Sequence, residues 1–112
     1  MATPIVVDPD SILVQASGGS VPILLENASP HFRYCYKVKS TNNEHYRVSS
    51  VYGFVEPLGS AKIDVNRLPG PPKSDDRLEI LFQPATADST DPKGPFVGGS
   101  SEFKLEVHLS AE

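Results

Sequence analysis

Tryptophan is absent from this 112-residue chain, and cysteine and methionine occur once each. A single thiol, Cys35, cannot close an intrachain disulfide. Small exported domains usually depend on several such bridges, so a reducing, cytoplasmic compartment is expected. No stretch approaches the roughly 20 apolar residues of a membrane-spanning helix, so direct membrane insertion is not expected. The opening MATPIVVDPDS has neither a basic segment nor an apolar core, and a secretory signal is not expected either. Positive charge is scarce: 10 Lys and Arg stand against 14 Asp and Glu, for a net charge of −4. That balance disfavours nucleic acid as a partner, because phosphate contacts need clustered cations.

The residues that carry chemistry are also sparse. His31, His45 and His108 share no short spacing, and one cysteine cannot build a zinc cage. Asp75, Asp76, Asp88 and Asp91 lack the alternate spacing and the glycine of a calcium loop. Gly98-Gly99-Ser100 has no strand before it and no helix after it, so it is no nucleophile elbow. No glycine-rich phosphate loop opens a helix. No metal, cofactor or catalytic residue is expected, and the chain reads as non-enzymatic. Cys35 has two readings: a thiol activated by Arg33 and Lys37 on the same strand face, or a structural thiol, which is favoured. Asn27-Ala28-Ser29 is formally a glycosylation sequon, read here as a strand end and turn.

Eleven prolines and eight glycines punctuate short apolar runs. No segment keeps a helical period over three turns, so many short strands are expected. These run over 5–7, 12–14, 21–27, 32–39, 46–48 and 52–55, then around Ala61–Val65, Leu78–Phe82 and Phe103–Leu109. Lys73 to Asp76 reads as a charged turn, and Asp88 to Asp91 as a site for one helical turn. A single domain over 1–112 is expected, with 84–101 as a long polar loop anchored only by Phe96 and Val97. About seven alternating strands in this length indicate an all-β, immunoglobulin-like sandwich.

The most informative stretch is Phe32 to Val48. Phe32, Tyr34, Tyr36 and Val38 alternate with Arg33, Cys35, Lys37 and Lys39, giving one aromatic, apolar side and one basic side. Arg47 and Arg77 would extend the basic row if their strands lie beside it. Such a row either attracts an acidic peptide or an acidic patch on a neighbouring molecule, or is a solvated face that blocks aggregation.

Several motifs, in order, resemble the major sperm protein domain family. They are Val7-Asp8-Pro9 before Ile12-Leu13, then Leu24, Leu25 and Asn27, then Tyr36-Lys37-Val38-Lys39-Ser40-Thr41, then Gly53-Phe54-Val55-Glu56-Pro57. The segments 67–76 and 84–96 resemble the small single-domain sperm-specific members of nematodes. The resemblance implies a seven-stranded, disulfide-free sandwich, cytosolic and non-enzymatic. It implies one of two roles. One is a sperm cytoskeletal or accessory protein that contacts itself or other family members. The other is an adaptor that binds short acidic FFAT-like peptides. On that face it implies Lys37, Lys39 and Thr41, with Arg77 where a family lysine contributes; Arg33 joins them from the strand pattern. Three features depart from the family. Glu79 stands where peptide-binding members carry an apolar methionine. Serines in Val48-Ser49-Ser50-Val51 replace a family proline, and the usual preceding cysteine is Arg47.

Overall fold

A computed structural model describes residues 3–99 and 101–112; Ser100 of the Gly98-Gly99-Ser100 segment lies outside them. Nine strand segments make two facing sheets. They are β1 (Ile5–Asp8), β2 (Ser11–Val14), β3 (Gly19–Asn27), β4 (Arg33–Ser40), β5 (Tyr46–Val48), β6 (Tyr52–Val55), β7 (Ser60–Arg67), β8 (Lys73–Ala85) and β9 (Phe103–Ala111). The first sheet has the order β1-β3-β7-β5, and the second β2-β9-β8-β4-β6. The chain changes sheet at every connection except β8 to β9, and the shortest of these crossings lie between β1 and β2 and between β5 and β6. Counting each broken pair once gives the seven strands of the immunoglobulin-like sandwich. The first crossing contains Asp8-Pro9, a cis peptide.

Period-two alternation decides which side chains meet. Leu78, Ile80 and Phe82 of β8 are fully buried, as are Val107 and Leu109 of β9. They face Ile23, Leu25, Ile63 and Val65 of the first sheet, all within the same core. Leu24 and Leu25 point to opposite faces, the first half-buried and the second fully buried. Phe103 stacks on Phe82 at 4.9 Å and meets Tyr34 edge-on at 5.5 Å, which supplies the aromatic mass that tryptophan gives elsewhere. Tyr36 lies over Gly53, its partner on β6; a Cβ at 53 would collide with the ring.

Three segments differ from the sequence reading. Lys73 to Asp76 is the start of β8, not a turn. A register shift between Lys73 and Asp76 accommodates its charges while β9 still pairs with it. Pro84 and Ala85 belong to β8 as well. Beyond Phe82 that strand pairs with β4 alone, so the donor that Pro84 lacks is not needed by β9. The one helical turn among the described residues lies at Gly94–Phe96, a 3₁₀ turn with proline in its first positions, rather than at Asp88–Asp91. Phe96 is buried as an anchor, whereas Val97 is exposed.

The crossing from β5 to β6 uses serine chemistry in place of a proline. Ser49 Oγ accepts from the Asp64 amide at 2.9 Å, and the Ser49 amide donates to the Asp64 carbonyl. Ser50 Oγ is 2.6 Å from Tyr36 Oη. At the far end, Glu56 to Gly59 forms a tight turn closed by the Gly59 amide on the Glu56 carbonyl at 2.9 Å. Leu58 occupies its third position at φ 56°, where glycine or asparagine is preferred. A left-handed leucine costs about 1 kcal/mol.

Asn27 ties that end together. Its side-chain amide donates to the carbonyls of Phe32 at 2.8 Å, Glu56 at 3.3 Å and Val55 at 3.5 Å, and its Oδ1 accepts from the Ser29 amide. The residue is 3% exposed, so the sequon asparagine is a structural knot inaccessible to a glycan in the folded chain. Asn27→Ala is expected to destabilise the fold by about 2 kcal/mol, because carbonyls lose their donor. Asn27→Asp is expected to cost at least as much, since a carboxylate cannot donate to them. Urea unfolding checks this; an unchanged midpoint for both variants would remove Asn27 from its role.

Candidate functional site

The outer face of the second sheet carries the residues singled out in the sequence. β4 presents Arg33, Cys35, Lys37 and Lys39 there, β8 presents Arg77, Glu79 and Leu81, and β9 presents Lys104, Glu106 and His108. Pairing sets Lys39 opposite Glu79, Lys37 opposite Leu81 and Arg77 opposite His108. Glu79 and Glu106 stand directly across from one another, a destabilising pair by itself. The diagonal neighbours relieve it. Lys104 Nζ lies 3.0 Å from Glu79, and Arg77 Nε 3.1 Å from Glu106. The hydrogen bond from Lys104, with Arg77 and Lys39 adding charge, holds the Glu79 carboxyl below its usual pKa against the smaller push of burial.

These exchanges leave Lys37 and Lys39 in no ion pair among the described residues. Lys37 Nζ instead sits 5.7 Å from the centre of the Tyr52 ring. Lys93 approaches the same ring at 5.6 Å, carried there by the segment between β8 and β9. Phe96 packs beside Tyr52 at 6.2 Å. Lys93 went unnoticed in the sequence because no local pattern places it; the path of residues 86–99 does.

Arg33 has a different occupation. Its Nε pairs with Glu56 at 2.9 Å, and its Nη1 donates to the carbonyls of Thr86 and Ser89, both at 2.8 Å. Its guanidinium also stacks on Phe54 at 3.8 Å. The group is consumed in fastening residues 86–89 to the sheet. Gln83 Nε2 reaches the Pro95 carbonyl at 3.5 Å and ties the strap further along. Between these ties Cys35 is fully buried, with Sγ donating to the Gln83 carbonyl at 3.3 Å. Burial pushes its thiol pKa up, against smaller opposing effects of backbone hydrogen bonds and Arg33. It is a structural thiol.

Thr41 and Arg77 meet at the upper end of the face. The Thr41 amide donates to the Arg77 carbonyl at 3.1 Å, and the Arg77 amide donates to Thr41 Oγ1 at 3.0 Å. Thr41 Oγ1 in turn donates to Asp76 Oδ1 at 3.0 Å. Asp76 is almost wholly buried and also accepts from Asn42 Nδ2 at 3.0 Å and Lys73 Nζ at 3.1 Å. Burial alone would raise its pKa, but the three donors together hold it below the ordinary aspartate value. The same hydrogen bond pushes the Lys73 ammonium up. Asp76 therefore fixes the loop after β4, and with it Thr41, against the start of β8.

Among the described residues no metal-binding group of three or more His, Cys, Asp or Glu comes together, and no helix is long and apolar enough to cross a membrane.

Asp76 generates a pH dependence. A carboxyl whose pKa falls on folding stabilises the fold above its unfolded value, near 3.9, and loses that contribution as pH drops through the folded value. Asp76→Asn is expected to cost about 1–3 kcal/mol at neutral pH, because its amide cannot accept from Lys73 and Asn42 as a carboxylate does. The gap between the variant and the parent should close as pH falls below about 4. Chemical denaturation at a series of pH values tests this; a gap constant with pH would contradict it.

Comparison with known proteins adds a lineage to this geometry. The model of the MSP (Major sperm protein) domain matches residues 4–102. Sperm-specific class P protein 34 of Caenorhabditis elegans is 45% identical over 105 residues, which is 94% of this chain and 96% of that relative. Sperm-specific class P protein 31 of the same nematode is 47% identical over the same shares. Among solved structures, WR4, an MSP family member of C. elegans, matches with a TM-score of 0.92 at 43% identity, covering 99% of this chain and 100% of that one.

Proposed function

The chain belongs to the major sperm protein domain family, and we propose that it acts by protein–protein contact as a sperm cytoskeletal or accessory protein related to the family's motility system. In this reading it is non-enzymatic and works in the cytoplasm. It adds to assemblies of its own kind or of other family members, or binds their regulators. The observation that carries the proposal is the pair Lys37 and Lys39, two ammonium groups on a rigid sheet face with no ion pair among the described residues. In a chain of net charge −4, such a pair suits an acidic patch on a second molecule. Thr41 and Arg77 frame that patch, and Arg33 supports it from beneath the strap. A self-complementary contact would give closed dimers, and a second, different contact would give open polymers.

The adaptor reading stands second. The same two lysines favour an acidic peptide, but Glu79 with its Lys104 partner occupies the position where an aromatic side chain would need an apolar pocket. A carboxylate there adds desolvation cost and repels an acidic ligand.

Sedimentation velocity over a hundredfold concentration range, alone and with a family partner, tests the leading reading. Association is expected at low salt, weaker at high salt and lost in a Lys37→Ala/Lys39→Ala double variant. A strict monomer that also ignores every family partner would sink it. For the adaptor, Glu79→Met is expected to strengthen binding of acidic, phenylalanine-containing peptides by roughly tenfold or more. Failure of both forms to bind, measured by fluorescence anisotropy, would end that reading.

A further inference from the structure

A second surface lies on the opposite outer face, at the end of the first sheet. There Val6 of β1 pairs with Glu26 of β3, and Glu26 with Ser60 of β7, so these three side chains form one row facing outward. Beside the row is a cavity of about 350 Å³, walled by Val6, Ala28 and Leu58, with Glu26 at its rim and buried Asn27 behind. The cavity is large enough for one bulky side chain.

Three observations together point to a ligand. Leu58 is held in a left-handed conformation at the cavity wall, although glycine at that turn position would be unstrained. It gains no compensating burial, since its side chain is 70% exposed; Val6 is 55% exposed. The hub beneath is rigid: the Leu58 amide donates to the Ser29 carbonyl at 3.0 Å, and Asn27 ties the adjoining turns. The charge around it is net acidic, although Lys62 stands in the same row as Asp8, 3.9 Å from Asp64. Asp8 and Glu26, on neighbouring rows of the same face, are exposed and join no ion pair among the described residues.

We propose that the cavity beside Leu58 is a docking site for a partner protein segment that presents one bulky apolar side chain flanked by basic residues. The apolar side chain enters between Val6 and Leu58 and covers them. The flanking cations meet Glu26 and Asp8. The hydrogen-bonded turn holds Leu58 as an apolar wall in solvent, at the cost of that strain, until the partner arrives. This surface is opposite in charge to the Lys37/Lys39 face and stands independently of it.

The test uses the full chain, labelled with ¹⁵N, titrated with the peptide Ac-Lys-Phe-Arg-NH₂ and with its alanine counterpart Ac-Lys-Ala-Arg-NH₂. The phenylalanine peptide is expected to shift the amides of Val6, Ala28, Leu58 and Gly59 saturably, and the alanine peptide to bind about tenfold more weakly. Leu58→Gly is expected to weaken the first peptide by a similar factor without lowering the melting temperature, which separates a binding wall from a structural one. An Asp8→Asn/Glu26→Gln variant should bind more weakly and with less dependence on salt. No localised shifts, equal binding of both peptides, or undiminished affinity in Leu58→Gly would overturn the proposal. So would self-association, seen without peptide and abolished by Leu58→Gly, because the occupant would then be a second copy.

Discussion

The apolar contact between the two sheets is the constraint on which the other features rest. No disulfide joins the layers, so closure depends on burying Ile23, Leu25, Ile63 and Val65 against Leu78, Ile80, Phe82, Val107 and Leu109. Apolar burial stabilises by about 25 cal/mol per Å², and here it is the main term that can offset chain entropy. Because strand side chains alternate, committing one set inward commits the other set outward with no freedom to choose. Lys37 and Lys39 on one outer face, and Asp8 and Glu26 on the other, belong to the outward halves of strands whose inward halves make the core. Surface chemistry and stability are thus two readings of one register.

Buried polar knots then finish what the apolar contact cannot. Asn27 closes one end by giving its amide to three carbonyls, and Asp76 closes part of the other by accepting from Thr41, Asn42 and Lys73. Each joins segments about 30 residues apart or more, where apolar packing has no direction to specify a turn. Both are fully partnered, which makes them assets rather than costs in a low-dielectric setting.

Alternation made most strands legible in the sequence. Leu78, Ile80 and Phe82 announced β8, and Tyr34, Tyr36 and Val38 announced β4, because a period of two is a local signal. What escaped was set by distant contacts. Lys73 to Asp76 looked like a charged turn, yet Asp76 is buried where Thr41 and Asn42 come to it from the loop after β4. Within the candidate site, Lys37 and Lys39 were readable as an outward basic row. Arg33 was on the expected face, but its tie to Thr86 and Ser89 depends on where the 86–99 segment lies, and composition is silent on that. Lys93 was unreadable for the same reason, being delivered by a tertiary path, whereas the left-handed backbone of Leu58 was unreadable because its residue type opposes that geometry.

The two shortest crossings between the sheets, β1 to β2 on one side and β5 to β6 on the other, have a mechanical consequence. Each covalently continuous crossing joins an edge strand of one sheet to an edge strand of its partner. A force that shears the layers apart must therefore stretch backbone on both flanks at once, and neither sheet can peel away alone. A domain pulled upon by its neighbours in an assembly would transmit load through these seams, as a box girder does through its side walls, and would yield as a whole.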